Sequence, residues 1–152
     1  MCIRDSETTG FGFSRMAVDA NGVTVTDVHN SFAPGGALIE GFGVDMRFGG
    51  GFIFSTSGRM IDPIARTIVR TFALPSPFGN LVVPDPTLNR VFYQTSNTIR
   101  AFDMGSGTEV GSATPPSITG TPGSLIRWGA KGLAFRTTTG QIFMVESTSW
   151  IP

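Results

Sequence analysis

The sequence lacks any long segment that suits an α-helix. Its 152 residues include 20 Gly and 10 Pro, and both residue types break helices or form turns. The longest segment without either one runs from Thr87 to Met104, and it is rich in β-branched and aromatic residues, which favour strands. The composition therefore predicts an all-β chain and excludes a helical bundle.

Charge and long apolar runs are also scarce. Only 14% of the residues are charged, and eleven basic side chains balance eleven acidic ones. Without a net charge there is no field to attract nucleic acid, so we expect no nucleic-acid partner. No apolar run approaches the roughly 18 residues that span a bilayer, so we expect no membrane span. Because 40% of the residues are hydrophobic, the chain is predicted to be globular and not disordered.

Cysteine is nearly absent, and the single Cys2 excludes an internal disulfide. Cys2 belongs to the segment MCIRDS, which resembles the translation of a sequencing adaptor at the false start of a reading frame from assembled environmental reads. We therefore expect residues 1–14 to be an artefactual or disordered N-terminus. The natural start, with any secretory signal, is expected to be missing.

A repeat of about 40 residues organises the rest of the chain. Four strands follow turn residues at similar phase, and each is preceded by another strand, so that each pair is predicted to form a hairpin. The turn residues are Gly22, Gly58, Asn97 and Gly140. Further strands flank each hairpin, and four short strands in about 40 residues are typical of a propeller blade.

The repeat predicts a partial β-propeller of about four blades, each a four-stranded antiparallel sheet. The predicted blades cover residues 15–41, 43–75, 80–115 and 124–147, and residues 148–152 form a tail. Blade one is expected to lack its first strand and to end in a strand at residues 37–39, and blade four is expected to lack its last strand. The sequence MRFG at residue 46 returns as IRWG at residue 126, which supports the register. A β-sandwich is the alternative, because its strands have similar spacing.

Two arginines are candidates for a ligand site. Arg47 and Arg127 lie on predicted first strands, which line the central channel of a propeller, where they can face an anionic ligand. The alternative is that they are solvated or paired with carboxylates such as Asp45. Five aromatic residues are expected to pack between blades: Phe48, Phe54, Phe92, Trp128 and Phe135.

Other polar motifs favour structure over chemistry. Asp27, Asp62 and Asp103 each end the third strand of a predicted blade, and we expect their carboxylates to accept backbone N–H groups in Asx-turns; a calcium site is disfavoured because no D-x-D-x-D loop is present. The single histidine, His29, is placed in a polar turn without a cysteine nearby to complete a zinc site. The triple glycine at residues 49–51 is predicted to form a tight turn, because a strand and not a helix follows it.

Three segments resemble a known family. The sequence SLIRWGAKGLAFR, from Ser124 to Arg136, is similar to a blade motif of large bacterial proteins with YVTN/YncE-like propellers. The Asp62-Pro63 turn and the sequence NTIRAFD, from Asn97 to Asp103, resemble strand endings in the same family. The resemblance implies a seven-bladed ring in exported or surface proteins, without shared catalytic residues. It also implies that this chain is a fragment that needs missing blades, or a second copy, to close the ring.

We therefore expect a non-catalytic propeller segment of a larger exported or surface bacterial protein, without a cofactor, that serves as a scaffold or recognises a protein or glycan. One alternative is an enzymatic propeller, lactonase-like or quinoprotein-like, with a metal at the channel near Asp45 and Asp85. Another is a carbohydrate-binding module, for which Trp128, Trp150 and Tyr93 are the available aromatic residues.

Overall fold

The chain is all-β and forms a partial propeller that does not close into a ring. The computed structural model describes residues 2–5, 11–29, 32, 35–39 and 41–151. Within these ranges the regular elements are fourteen β-strands and one 3₁₀ turn at Pro86–Leu88. The strands form four antiparallel sheets, of three, four, four and three strands in chain order. No helix in the part of the chain that the structure describes is both long and apolar enough to cross a membrane.

Each sheet is one blade, and the blades follow one another along the chain. Blade one contains β1 (Cys2–Asp5), β2 (Phe13–Asp19) and β3 (Gly22–His29). Blade two contains β4 (Met46–Gly49), β5 (Phe52–Ser55), β6 (Arg59–Asp62) and β7 (Thr67–Thr71). Blade three contains β8 (Leu81–Asp85), β9 (Arg90–Thr95), β10 (Thr98–Asp103) and β11 (Glu109–Ala113). Blade four contains β12 (Pro122–Trp128), β13 (Gly132–Thr137) and β14 (Ile142–Glu146).

Blade one differs from the strand pattern that the sequence predicts. The strand expected at residues 37–39 is absent, whereas β1 pairs with β2 in the position of a first strand. The carbonyl oxygens of Ala37 and Leu38 accept hydrogen bonds from Arg59 Nη1 of blade two, at 2.9 and 3.0 Å. A side chain thus replaces a neighbouring strand as their partner. Leu38 is also buried in the hydrophobic cluster between blades one and two, which draws this segment away from the edge of β3.

Three hydrophobic clusters separate the four blades, as a radial arrangement of blades requires. Residues of blade one pack on blade two through Phe13 and Ile53. Phe54 and Tyr93 belong to the cluster between blades two and three, and Phe92 belongs to the cluster between blades three and four. Side chains alternate along a strand, so Ile53 and Phe54 serve opposite faces of blade two. A sandwich of two sheets has a single core between them, so the β-sandwich alternative is wrong.

The first strands of blades two, three and four are neighbours, with β8 in contact with both β4 and β12. This places the first strands on the inner side of the arc, where a propeller has its channel. The triple glycine forms the turn from β4 to β5, where Gly50 and Gly51 adopt φ of 60° and 89°, a conformation that glycine adopts without strain. The prediction of a tight turn followed by a strand is therefore confirmed.

The C-terminal residues predicted as a tail lie against blade three. Trp150 and Ile151 are buried in the cluster between blades three and four. The Trp150 ring lies directly over Gly111 of β11, where a Cβ atom would approach Trp150 Cγ to 2.5 Å. Glycine at residue 111 is therefore required for the indole to reach this surface.

Two of the five aromatic residues expected between blades are exposed. Phe54, Phe92 and Phe135 are buried as predicted, whereas Phe48 and Trp128 are 51% and 44% exposed. Alternation along β12 turns Trp128 to the outward face of blade four, which no other described blade covers. The prediction that Phe48 and Trp128 pack between blades is therefore wrong.

Candidate functional site

An ion pair joins the inner strands of blades three and four. Arg127 of β12 places its Nε 2.8 Å from Asp85 Oδ2 at the end of β8, and the two side chains retain only 19% and 14% of their exposure. The guanidinium also lies over the Phe92 ring of blade three, 5.5 Å from its centroid. Two predicted site residues from different blades therefore meet, and they bind each other.

Further hydrogen bonds fix both members of this pair. Arg127 donates to the carbonyl oxygens of Gly132 and Ala130, each at 2.7 Å. Asp85 caps the 3₁₀ turn by accepting from the Leu88 N–H at 3.2 Å. A depression of about 550 Å³ lies beside the pair, but the charges at its wall are already neutralised by each other. The side chains of Arg127 and Asp85 thus hold the two blades in register.

Arg47, the second arginine predicted to line the channel, lies on β4 and is more exposed. It pairs with Asp45 of its own blade, with Nη1 2.7 Å from Oδ2 and side-chain exposures of 52% and 60%. An exposed pair of this kind contributes little to stability, because water screens the attraction. Arg47 and Arg127 lie on either side of β8, but their described ionic partners are different carboxylates on different blades.

Asp62 and Asp103 close turns with their carboxylates, as the sequence predicts. Asp62 Oδ1 accepts from the N–H groups of Ile64 and Ala65, at 2.7 and 2.9 Å. Asp103 Oδ1 accepts from the Ser106 N–H at 2.8 Å. Both aspartates end the third strand of a four-stranded blade. In each of these two blades, an aspartate carboxylate therefore stabilises the turn between the third and fourth strands.

Asp103 also receives positive charge from its own blade. Its Oδ2 lies 2.6 Å from Arg90 Nη1 and 3.0 Å from Asn89 Nδ2. The hydrogen bond from the Ser106 N–H lowers the pKa of Asp103, and Arg90 lowers it further by its charge. Hydrogen bonds and cations that favour the ionised form have this effect on a carboxyl group.

Asp27 uses its carboxylate differently from the other two aspartates. Its described partners are two arginines: Arg15 on the neighbouring strand, at 3.3 Å, and Arg66 of blade two, which bonds Asp27 through Nε at 3.2 Å and also through Nη2. The expected Asx-turn is not among the contacts that the structure describes for Asp27. Its carboxylate instead links blades one and two, because Arg66 in the turn before β7 reaches across to it.

Arginines that bridge blades are the structural feature that the sequence did not reveal. Arg70 of blade two donates to three carbonyl oxygens of the β10–β11 turn in blade three: Met104 at 3.1 Å, Ser106 at 2.8 Å and Gly105. Arg66 joins blades one and two, and Arg127 joins blades three and four. The sequence carries a signal for this, because ten of its eleven basic residues are arginine, whose planar fork suits several acceptors at once.

His29 is a buried residue and does not lie in a polar turn. It is the last residue of β3 and 1% exposed. Its Nε2 lies 3.1 Å from the Gly36 carbonyl oxygen, and its ring stacks on Phe13 with 5.7 Å between centroids. The predicted location is wrong because the hairpin strand extends further than expected and turns His29 to the same face as Phe13.

The residues considered for metal binding and for sugar binding do not form a site in the described part of the chain. Within residues 11–29, 32, 35–39 and 41–151, no three side chains of metal-ligating type lie together. Of the three aromatic residues considered for sugar binding, Tyr93 is fully buried and Trp150 is 7% exposed, which leaves only Trp128 at the surface. A carbohydrate-binding surface needs aromatic rings with exposed faces, and of the three residues considered only Trp128 has one.

Comparisons with known proteins bear on the fold alone. No protein-family model matches the chain, and no curated protein matches it. The chain is similar to the crystal structure of the computationally designed Ika4 protein, with a TM-score of 0.59 and 11% sequence identity over 91% of this chain and 87% of that one. At this identity the similarity supports the arrangement of the strands and says nothing of activity.

Proposed function

We propose that the chain is a non-catalytic propeller segment that serves as a scaffold or recognition module. The observation that carries the proposal is the Arg127–Asp85 pair: two charged groups of the inner strands, one considered for ligand binding and the other for metal binding, bind each other and join two blades. His29 is likewise packed against Phe13. A catalytic site needs an exposed nucleophile, base or metal in a cleft, and these groups are engaged in packing and pairing.

We also propose that the segment belongs to a larger exported or surface bacterial protein of the YVTN/YncE-like kind. The resemblance at Ser124–Arg136, at the Asp62-Pro63 turn and at Asn97–Asp103 supports this assignment. The antiparallel blades agree with it at the level of the fold. The complete reading frame is expected to encode further repeats of about 40 residues next to this segment, and a frame without them contradicts the assignment.

Calcium binding separates the scaffold from a metal-dependent enzymatic propeller. Equilibrium dialysis against about 1 mM Ca²⁺, near the upper end of affinities for extracellular calcium modules, is expected to show no bound calcium. About one ion per chain, lost in Asp85→Asn and retained in Asp19→Asn, contradicts the proposal. Asp19 is the matched control because it lies at the exposed tip of the β2–β3 hairpin.

A further inference from the structure

The two ends of the arc expose apolar sheet faces. On blade one, β2 and β3 turn a row of valines outward: Val18, Val23, Val25 and Val28, which are 54–64% exposed. On blade four, β12 and β14 turn four large side chains outward: Ile126, Trp128, Ile142 and Met144, which are 44–76% exposed. We call these surfaces the leading face, on blade one, and the trailing face, on blade four. The trailing face also carries the exposed charged residues Arg136 and Glu146, which pair with Ile142 and Gly132. Exposed apolar surfaces of this kind mark places of association.

Cross-strand pairing shows that each set shares one side of its sheet. In blade one, Val18 pairs with Val23, and Asp27 and His29 belong to the opposite side, which meets blade two. In blade four, Ile126 pairs with Ala134, which pairs with Met144, whereas the side that bears Leu133 packs on blade three. Each terminal blade therefore has one covered and one uncovered side.

The leading and trailing faces are the two kinds of surface that meet inside the chain. At each of the three interfaces between blades, the trailing side of one blade packs on the leading side of the next. The arc ends with one unused surface of each kind. A second copy of the chain has the same two faces. Its leading face can therefore pack on the trailing face of the first copy, as consecutive blades pack within one chain. A contact between two trailing faces has no counterpart within the chain.

We propose that two copies of the chain associate head to tail into one closed ring. Four blades per copy give a ring of about eight blades with two copies, within the range of about four to eight blades that propellers use, whereas three copies exceed it. The exposure of both terminal faces excludes closure of a single copy on itself. Pairing of copies rests on the fold of this four-blade chain and is tested on it, because further repeats in a longer protein would cover the same two faces.

The area of the two faces favours a closed ring over an open chain of copies. Strands of seven, six and five residues form blade four, and strands of four, seven and eight residues form blade one. At strand spacings of about 4.8 Å and a rise of about 3.3 Å per residue, each sheet covers about 300 Å². One contact then buries about 600 Å², as lattice contacts do, whereas two contacts bury about 1,200 Å², which reaches the range of stable interfaces.

Light scattering after size exclusion tests the association. The molar mass of the wild-type protein is expected to be twice the 16.1 kDa of one chain. Val23→Asp on the leading face and Ile126→Lys on the trailing face are each expected to weaken association at least about tenfold, because each buries an unpaired charge. Ile64→Asp is the matched control: Ile64 is 63% exposed and lies in the turn before β7, on neither face. It is expected to leave the dimer intact.

Mixing the Val23→Asp and Ile126→Lys variants tests the head-to-tail arrangement. In a mixed ring one contact is wild type at both positions, and the other places the introduced carboxylate of one copy near the introduced ammonium group of the other. The mixture is therefore expected to recover the dimer. In the control mixture of Ile64→Asp with Ile126→Lys this complementary pair is missing, so Ile64→Asp is expected to stay dimeric by itself and Ile126→Lys to stay monomeric. Circular dichroism checks that each variant stays folded. We expect all three to fold, because Val23, Ile64 and Ile126 are exposed in the single chain.

Every other outcome overturns the inference. A monomeric wild-type chain shows that the faces stay uncovered, and a ladder of larger species shows an open chain. Loss of the dimer in Ile64→Asp shows association through another surface. Dissociation by Ile126→Lys with no effect of Val23→Asp, or a mixture that stays monomeric, shows that like faces meet.

Discussion

Removal of Arg127 is predicted to destabilise the fold far more than removal of Arg47, although both are arginines on first strands. Arg127→Ala leaves the Asp85 carboxylate, 14% exposed, without its cation. It also removes the contact with Phe92 and the hydrogen bonds to Ala130 and Gly132. Breaking a buried pair costs about 3–5 kcal/mol, and the residual exposure places this pair at the lower end, about 3 kcal/mol.

Arg47→Ala is the matched comparison, because it breaks an ion pair whose members are 52% and 60% exposed. Such pairs contribute about 0.5 kcal/mol or less. The free energy of unfolding is measured by urea titration with tryptophan fluorescence, since Trp150 is buried beside Phe92 at the same interface. The titrations use a Val23→Asp background, so that association between copies does not add to the measured stability.

A double-mutant cycle with Asp85→Asn isolates the ionic contribution. Asp85→Asn alone is expected to cost about 1–2 kcal/mol, because Arg127 keeps its carbonyl and aromatic partners. The coupling energy between the two sites is expected to be about 1–2 kcal/mol. An Arg127→Ala variant that loses no more free energy of unfolding than Arg47→Ala, or a coupling energy near zero, would show that the Arg127–Asp85 pair does not stabilise the fold.

Three further substitutions have defined outcomes. Asp103→Ala is expected to cost about 1 kcal/mol, as for a lost cap. Because folding lowers the pKa of Asp103 from 3.8, its contribution is complete at neutral pH and is lost as the pH falls below about 4; acid titration of Asp103→Asn should show a weaker pH dependence, and an unchanged one argues against the turn. Gly111→Ala is expected to cost about 1–3 kcal/mol by displacing Trp150, with a loss of its buried fluorescence; an unchanged spectrum contradicts the contact. Arg70→Met keeps the aliphatic stem but removes three carbonyl contacts, and is expected to cost about 2 kcal/mol; thermal unfolding without a shift contradicts the bridge.

The local part of the fold could be predicted from the sequence. Alternation and turn residues located the hairpins, and Asp62 and Asp103 were assigned to turns that the structure describes. These features depend on neighbours within a few residues, which the sequence displays directly. Blade two and blade three have the four strands that the pattern indicated.

Contacts between distant residues could not be predicted in the same way. Arg70 binds a turn more than 30 residues away, and nothing in its local pattern distinguishes it from a solvated arginine. The sequence predicts that Asp27 ends its strand, as Asp62 and Asp103 do, but Asp27 lies two residues before the end of β3 and is bound by Arg66 from the next blade. Trp128 has the pattern of a core residue, yet no described blade covers it. In each case the tertiary partner decides the role of the side chain.

The central structural claim is that consecutive sheets stack around an axis, with a separate core at each interface. Nuclear Overhauser spectroscopy of the monomeric Val23→Asp variant tests it most directly. Cross-peaks are predicted between the Phe72 and Tyr93 rings, 5.6 Å apart across blades two and three, and between Arg127 and the Phe92 ring, 5.5 Å apart across blades three and four. The Phe135–Phe143 pair, 4.9 Å apart within blade four, is the internal reference. If the reference pair gives its cross-peaks and both pairs between blades give none, the stacked arrangement is contradicted.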